Sequence, residues 1–102
     1  MPILQAVHYE VGESAFEKVK TAVVEFVEYV RANDSGSRVY TAWQEKDNPA
    51  RFVHPFEFAD REVQATHGSS AAVRKFEAVY EPELVGGPVV FADHVLVASN
   101  VS

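Results

Sequence analysis

Between residues 36 and 80 the sequence GSRVYTAWQEKDNPARFVHPFEFADREVQATHGSSAAVRKFEAVY changes its hydrophobic period from two to three-and-four after one short polar turn. That change admits little besides two antiparallel strands followed by helix, because a period-two segment cannot bury one stripe as a helix, nor a helical pattern one face as a strand. Residues 37–46 read as a strand. Lys46, Asp47, Asn48 and Pro49 supply the turn: the Asp and Asn side chains bond their own backbone, and proline presets its φ. In the next strand, 50–59, alternation places Phe52, His54, Phe56 and Phe58 on one face. Pro55 lacks a backbone donor and so marks an edge position, a bulge or a break. Asp60 caps a short helix over 61–66, Gly68, Ser69 and Ser70 interrupt it, and a second helix over 71–80 turns Val73, Phe76, Val79 and Tyr80 inward.

The flanks complete the pattern. Residues 3–9 alternate Ile3, Val7 and Tyr9 against Leu4, Ala6 and His8, which reads as a first strand. Ser14 and Glu17 have the spacing of a capping box, and Phe16, Val19, Val23, Phe26, Val27 and Val30 then form the apolar stripe of a helix that ends at Asn33, Asp34, Ser35 and Gly36. Beyond a connector containing Pro82 and Gly86 to Pro88, residues 89–98 form a last strand. The order strand, helix, strand, strand, helix, strand is that of a ferredoxin-like α+β fold, with both helices on one face of a four-stranded antiparallel sheet. The last strand is apolar on both faces, Val89, Phe91, Val95 and Val97 against Val90, Ala92, Leu96 and Ala98. Strands that read this way are covered on both sides, so a homodimer packing sheet on sheet is expected.

A chain of 102 residues makes one domain, 1–102. Its net charge of −6, with Lys and Arg scattered, argues against nucleic acid and against anionic membranes. No apolar run reaches the roughly 18 residues of a membrane span, and MPILQAVHYE lacks the marks of a signal peptide, so a cytoplasmic location is expected. With no cysteine, disulfides, thiolate catalysis and Cys-based metal sites are excluded. No Gly-rich nucleotide loop or metal-spaced cluster is present, and the four histidines, His8 and His94 included, have no metal-motif spacing.

The segment FEFADREVQATHGSSAAVRKF, with Glu57, Phe58, Asp60, His67, Ser70 and Phe76, resembles the antibiotic biosynthesis monooxygenase domain family, which includes small quinol monooxygenases. Nearly the whole chain shares the likeness. The family usually has tryptophan where Phe58 stands, a Glu-Pro-Gly turn where Asp34, Ser35 and Gly36 stand, and a second histidine where Val73 and Arg74 stand. The resemblance implies a dimeric α+β barrel that oxygenates an electron-rich aromatic, a hydroquinone or polyketide phenol, with dioxygen and without metal, flavin or haem. In that chemistry the substrate is its own reductant, and the protein holds it in a dry aromatic pocket and removes a proton.

Histidine suits the proton step at neutral pH, which makes His67 and His54 the catalytic candidates. His67 either lines a pocket or caps the helix break; His54 either serves the chemistry or sits hydrogen-bonded in a dimer interface. Phe52, Phe56, Phe58, Tyr40, Trp43 and Phe76 are the candidates for substrate binding, against the alternative of core or interface. Tyr40 and Trp43 lie on opposite faces of their strand, so at most one faces a given cavity. Glu57 reads as one half of an ion pair. The competing function is a noncatalytic dimeric barrel that binds a small apolar ligand or acts in stress response, since fold alone does not license function. Haem degradation by a related branch is a third, disfavoured because 76–80 contains no histidine to bind iron.

Overall fold

Alternation in the first segment buries Ile3, Val7 and Tyr9 and leaves Leu4 and His8 exposed, giving strand β1, Ile3–Glu10. The computed structural model describes residues 3–33 and 37–100, so the expected turn at Asp34, Ser35 and Gly36 lies outside the described residues. The helix that follows, α1, Phe16–Asn33, buries Val19, Val23, Phe26 and Val30 at three- and four-residue steps. Each such side chain contributes about 1.5–3 kcal/mol by leaving water. The expected capping box is not made. Ser14 lies inside a tight 3-10 turn, Glu13–Ala15, whose cap is Gly12 without a side-chain hydrogen bond. The Gly12 carbonyl accepts instead from the amide of Ala15, 2.9 Å away.

The expected second strand is split into β2, Ser37–Tyr40, and β3, Trp43–Gln44, both antiparallel to β4, Arg51–Phe58. Pro55 explains the split. Tyr40 opposes Phe56 and Trp43 opposes Val53, so the register is the same on both sides of the gap, and Pro55 faces the gap. Thr41 donates its amide to the Pro55 carbonyl, 3.3 Å, but proline has no amide to return, so the ladder loses one rung there. Proline is expected at an edge, yet β4 is central in the order β2-β4-β1-β5. In an antiparallel strand a residue's N–H and C=O point to the same side. The missing donor therefore falls wholly on the β2 side, and the pairing of Pro55 with Ala6 of β1 is intact.

Asp60 accepts from the Val63 amide to start α2, Arg61–Gly68, and Ser70 accepts from the Val73 amide to start α3, Ala71–Tyr80. Both caps are the ordinary use of short polar side chains at helix starts, and α2 runs two residues past the expected end at 66, so the interruption falls at Ser69 and Ser70. A 3-10 turn, Glu81–Glu83, then returns the chain toward the end of β1, where the Gly12 amide bonds the Glu83 carbonyl and the Val85 amide the Glu10 carbonyl. Gly86 and Gly87 take φ of +77° and +119°, conformations that glycine reaches without a Cβ clash.

The last strand is shorter than the sequence suggests. β5, Val90–His94, pairs with β1 from His8↔Val90 to Leu4↔His94, and Val95, Leu96 and Val97 lie beyond the strand. Both faces of β5 are exposed, Val90 and Phe91 at 53% each, rather than buried. The helices cover the inner face of the sheet, with Val7, Tyr9, Phe52, Phe56 and Phe58 in one core with Val19, Phe26, Phe76 and Tyr80. The outer face carries Leu4, Val39, Trp43 and Val90, all exposed.

Candidate active site

Parity along β4 sends His54 and Phe56 to the inner face, and parity along β1 sends Tyr9 there as well. Between that face and α2 and α3 lies a cavity of about 200 Å³, which His54, Phe56, His67 and Phe76 all line. Its walls are mostly aromatic. Phe26 stacks on Phe76 with centroids 4.9 Å apart, and Tyr80 stacks on Tyr9 at 4.7 Å. Phe91 closes the side beneath β5.

His54 is almost completely buried, 1% exposed, and its Nε2 lies 2.9 Å from the hydroxyl of Tyr9. Its Nδ1, also buried, has no partner among the described residues. If Tyr9 donates to Nε2, Nδ1 carries a hydrogen to offer; if Nε2 donates, Nδ1 offers a lone pair. In both tautomers a buried polar atom is left without a partner among the described residues, at a cost of about 1–3 kcal/mol. Burial holds the imidazole neutral, lowering its pKa to about 4, and it pushes the Tyr9 hydroxyl well above the usual phenol range, with Tyr80 adding to the effect.

His67 reaches the same cavity from a different element. It sits in the last turn of α2, where the carbonyl end of a helix favours a cation. Its Nε2 is 2.6 Å from the Tyr40 hydroxyl, and Tyr40 is itself clamped flat on Phe56 with ring centroids 3.8 Å apart and planes within 9°. Phe58 packs against the His67 ring at 5.2 Å. The end of α2 at Gly68 thus places this histidine among Phe26, Tyr40, Phe56 and Phe58 rather than on the surface.

The predicted binding residues separate into distinct places. Phe56 and Phe76 line the cavity; Tyr40 stands behind it as the partner of His67. Phe58 is fully buried beside His67, and Phe52 stacks on Tyr9 away from the cavity, so both are core supports. Trp43 does not reach the cavity: it lies on the outer face, 62% exposed, because its position is odd-numbered relative to Tyr40 on the same register. Sequence reasoning missed Tyr9, Gln5, Gln64 and Glu77, all of which line the cavity. Tyr9 had a signal: it shares a face with Val7, and a buried tyrosine hydroxyl needs a partner. Burial and then Glu81 push the Glu77 carboxyl up, with Arg74 acting the other way. Among the described residues no three His, Cys, Asp or Glu side chains gather as a metal site, and no helix is long and apolar enough to cross a membrane.

Comparison with known proteins gives the same architecture. A crystal structure of an antibiotic biosynthesis monooxygenase superposes with a TM-score of 0.87 at 16% identity, over 94% of this chain and 99% of that one. Rv0793 from Mycobacterium tuberculosis gives 0.86 at 15%, over 98% and 99%. A conserved protein from Methanosarcina mazei Go1 gives 0.83 at 15%, over 92% and 91%. At these identities the likeness is one of fold. No curated protein matches the sequence. Residues 2–79, from β1 to the end of α3, match the model of the antibiotic biosynthesis monooxygenase family, and the chain belongs to that family.

Proposed function

We propose that the protein is a cofactor-independent monooxygenase that oxidises a small hydroquinone with dioxygen. The observation that carries the reading is the buried, unpartnered Nδ1 of His54, a residue that lines a mostly aromatic cavity of about 200 Å³. Size favours the smaller of the two substrate classes. An apolar cavity of about 150 Å³ takes a benzene ring, and drug-sized ligands need about 300 Å³ or more. The cavity therefore suits one substituted ring and is too small for a polycyclic polyketide.

One oxygen atom of dioxygen ends on a ring carbon and the other leaves as water, the quinol supplying every electron and emerging as a hydroxyquinone. The protein's part is to bind, to exclude water and to take the hydroxyl proton so that the anion can pass an electron to oxygen. The two histidines are unequally suited to that proton. His54, with a pKa of about 4, faces a phenol of pKa near 10, a transfer uphill by roughly 8 kcal/mol. An ion pair 4 Å apart at the effective dielectric of a protein site recovers about 4 kcal/mol, half of that. His67, at the carbonyl end of a helix, where positive charge is favoured, and held by Tyr40, is the better acceptor. His54 then serves as the neutral hydrogen-bond partner of a substrate hydroxyl.

The apolar outer face, with Leu4, Val39, Trp43 and Val90, is assigned to a sheet-to-sheet homodimer. Dilution should red-shift the emission of Trp43 as the dimer separates, and an unshifted spectrum with a monomer mass in sedimentation refutes this assignment. For the activity, oxygen uptake with a panel of hydroquinones should exceed autoxidation and fall at least a hundredfold in His67→Ala, the scale of one general base. Saturable binding without uptake, for every quinol tried, favours the noncatalytic binding protein instead.

A further inference from the structure

At the mouth of the cavity one carboxylate oxygen gathers two amides from different elements. Oδ1 of Asp93, on β5, accepts from Nε2 of Gln5 on β1 at 3.2 Å and from Nε2 of Gln64 on α2 at 2.9 Å. Gln5 and Asp93 are cross-strand partners, whereas Gln64 comes from the helix that carries His67 three residues later, on the same helix face. Both glutamines line the cavity. Asp93 thereby ties the edge strand to the helix over the opening.

The carboxylate also settles which way each amide points. It can only accept, so each glutamine must turn its NH₂ toward it, and the flip that leaves the carbonyl there is excluded. The Oε1 of each amide is then the end left for another partner, and both residues line the mostly aromatic cavity. Inside, beside Tyr9, His67 and Glu77, is His54, whose strand neighbour on β1 is Val7, two residues from Gln5. Two residues of strand span about 7 Å, the scale of one ring with a hydroxyl at each end.

We infer that Asp93 is a positioning residue that sets Gln5 and Gln64 as a hydroxyl-accepting rim, so that the cavity selects 1,4-dihydroxy rings over the same rings with one oxygen methylated. The inference rests on the quinol reading of the cavity and adds a specificity device to it. The rim takes a hydrogen bond from the second hydroxyl; a methoxy group there has none to give, so its complex forgoes that bond.

The test is binding, measured anaerobically by calorimetry with hydroquinone, 4-methoxyphenol and 1,4-dimethoxybenzene. Wild type should prefer hydroquinone to 4-methoxyphenol by about tenfold, the worth of one hydrogen bond. In Asp93→Ala that ratio should fall to within about twofold, and Asp93→Asn, which keeps an acceptor oxygen, should restore part of it. Gln64→Leu, which removes one rim carbonyl at similar size, should lower the ratio as well and guards against a folding defect in the Asp93 variants. A general loss of structure would weaken all three ligands together and leave the ratio unmoved. A wild-type ratio near one, or a full tenfold ratio in Asp93→Ala, overturns the rim while the quinol cavity stands. Failure of wild type to bind any of the three overturns both.

Discussion

Acidification from pH 7 to pH 4 should destabilise the protein through His54 alone by about 3 kcal/mol. The folded state holds its pKa near 4, below the usual 6.5 of the unfolded chain, because the ring is buried against Phe56, Phe76 and Tyr9 with no counter-charge. A depressed histidine pKa means that the unfolded state binds the proton first. The stability contribution is therefore complete above pH 6.5, is lost steadily as pH falls from 6.5 to 4, and changes no further below that. With 1.36 kcal/mol per unit, about 2 kcal/mol is gone by pH 5 and about 3 by pH 4. Carboxylates titrate in the same range, so the measurement must be a difference. His54→Gln gives Tyr9 a hydrogen-bond partner and does not titrate. Urea unfolding followed by circular dichroism at pH 7, 6, 5 and 4 should show wild type more stable at pH 7 and the gap closing by about 3 kcal/mol at pH 4. That corresponds to roughly 2 M in urea midpoint at a typical slope. Parallel curves for the two proteins across this range would refute the claim that His54 is buried neutral, and with it the assignment of Nδ1 as a neutral substrate partner.

Three further outcomes follow from the same geometry. Tyr9→Phe leaves both ring nitrogens of His54 buried and unpaired, so it should cost about 1–3 kcal/mol in urea unfolding and should raise KM for quinols more than it lowers kcat. Pro55→Ala supplies the missing amide opposite Thr41; a gained hydrogen bond of about 1 kcal/mol is offset by the freer unfolded chain, so stability should hardly move, while hydrogen exchange at residue 55 should be protected. An unprotected amide there would show that the gap between β2 and β3 has another cause. Ser70→Ala removes the cap of α3 and should cost about 1 kcal/mol, readable as a lower Tm, with the affinity for hydroquinone falling as Phe76 loses its footing.

Legibility in the sequence followed the periodicities and stopped where a single hydrogen bond decides. Parity alone placed His54 and Phe56 inward and separated Tyr40 from Trp43. Capping chemistry placed the break that sets His67 at a helix end. Parity could not say which aromatics of one stripe reach open space: Phe52, Phe56 and Phe58 share a face, and only Phe56 lines the cavity, because Tyr9 covers Phe52 and His67 covers Phe58. Ser14 and Glu17 had the spacing of a capping box, but a 3-10 turn in front of α1 consumed the position. Gln5, Gln64 and Asp93 gave no signal, since three polar residues from three elements look solvated until the fold brings them to one oxygen.

The outer and inner faces of the sheet are bound by the same rule. Alternation that turns Tyr9, His54 and Tyr40 toward the helices necessarily turns His8, Val53 and Trp43 away from them. A slip of β4 by one residue would put Val53 and Pro55 over the cavity and expose His54 and Phe56. The register is pinned against that slip by Pro55, which fits only where the β2 ladder is interrupted, and by the Tyr9 hydroxyl, which finds Nε2 of His54 in one register alone. The hydrogen bond that holds His54 is thus also one of the bonds that fixes which face of the sheet the helices leave open.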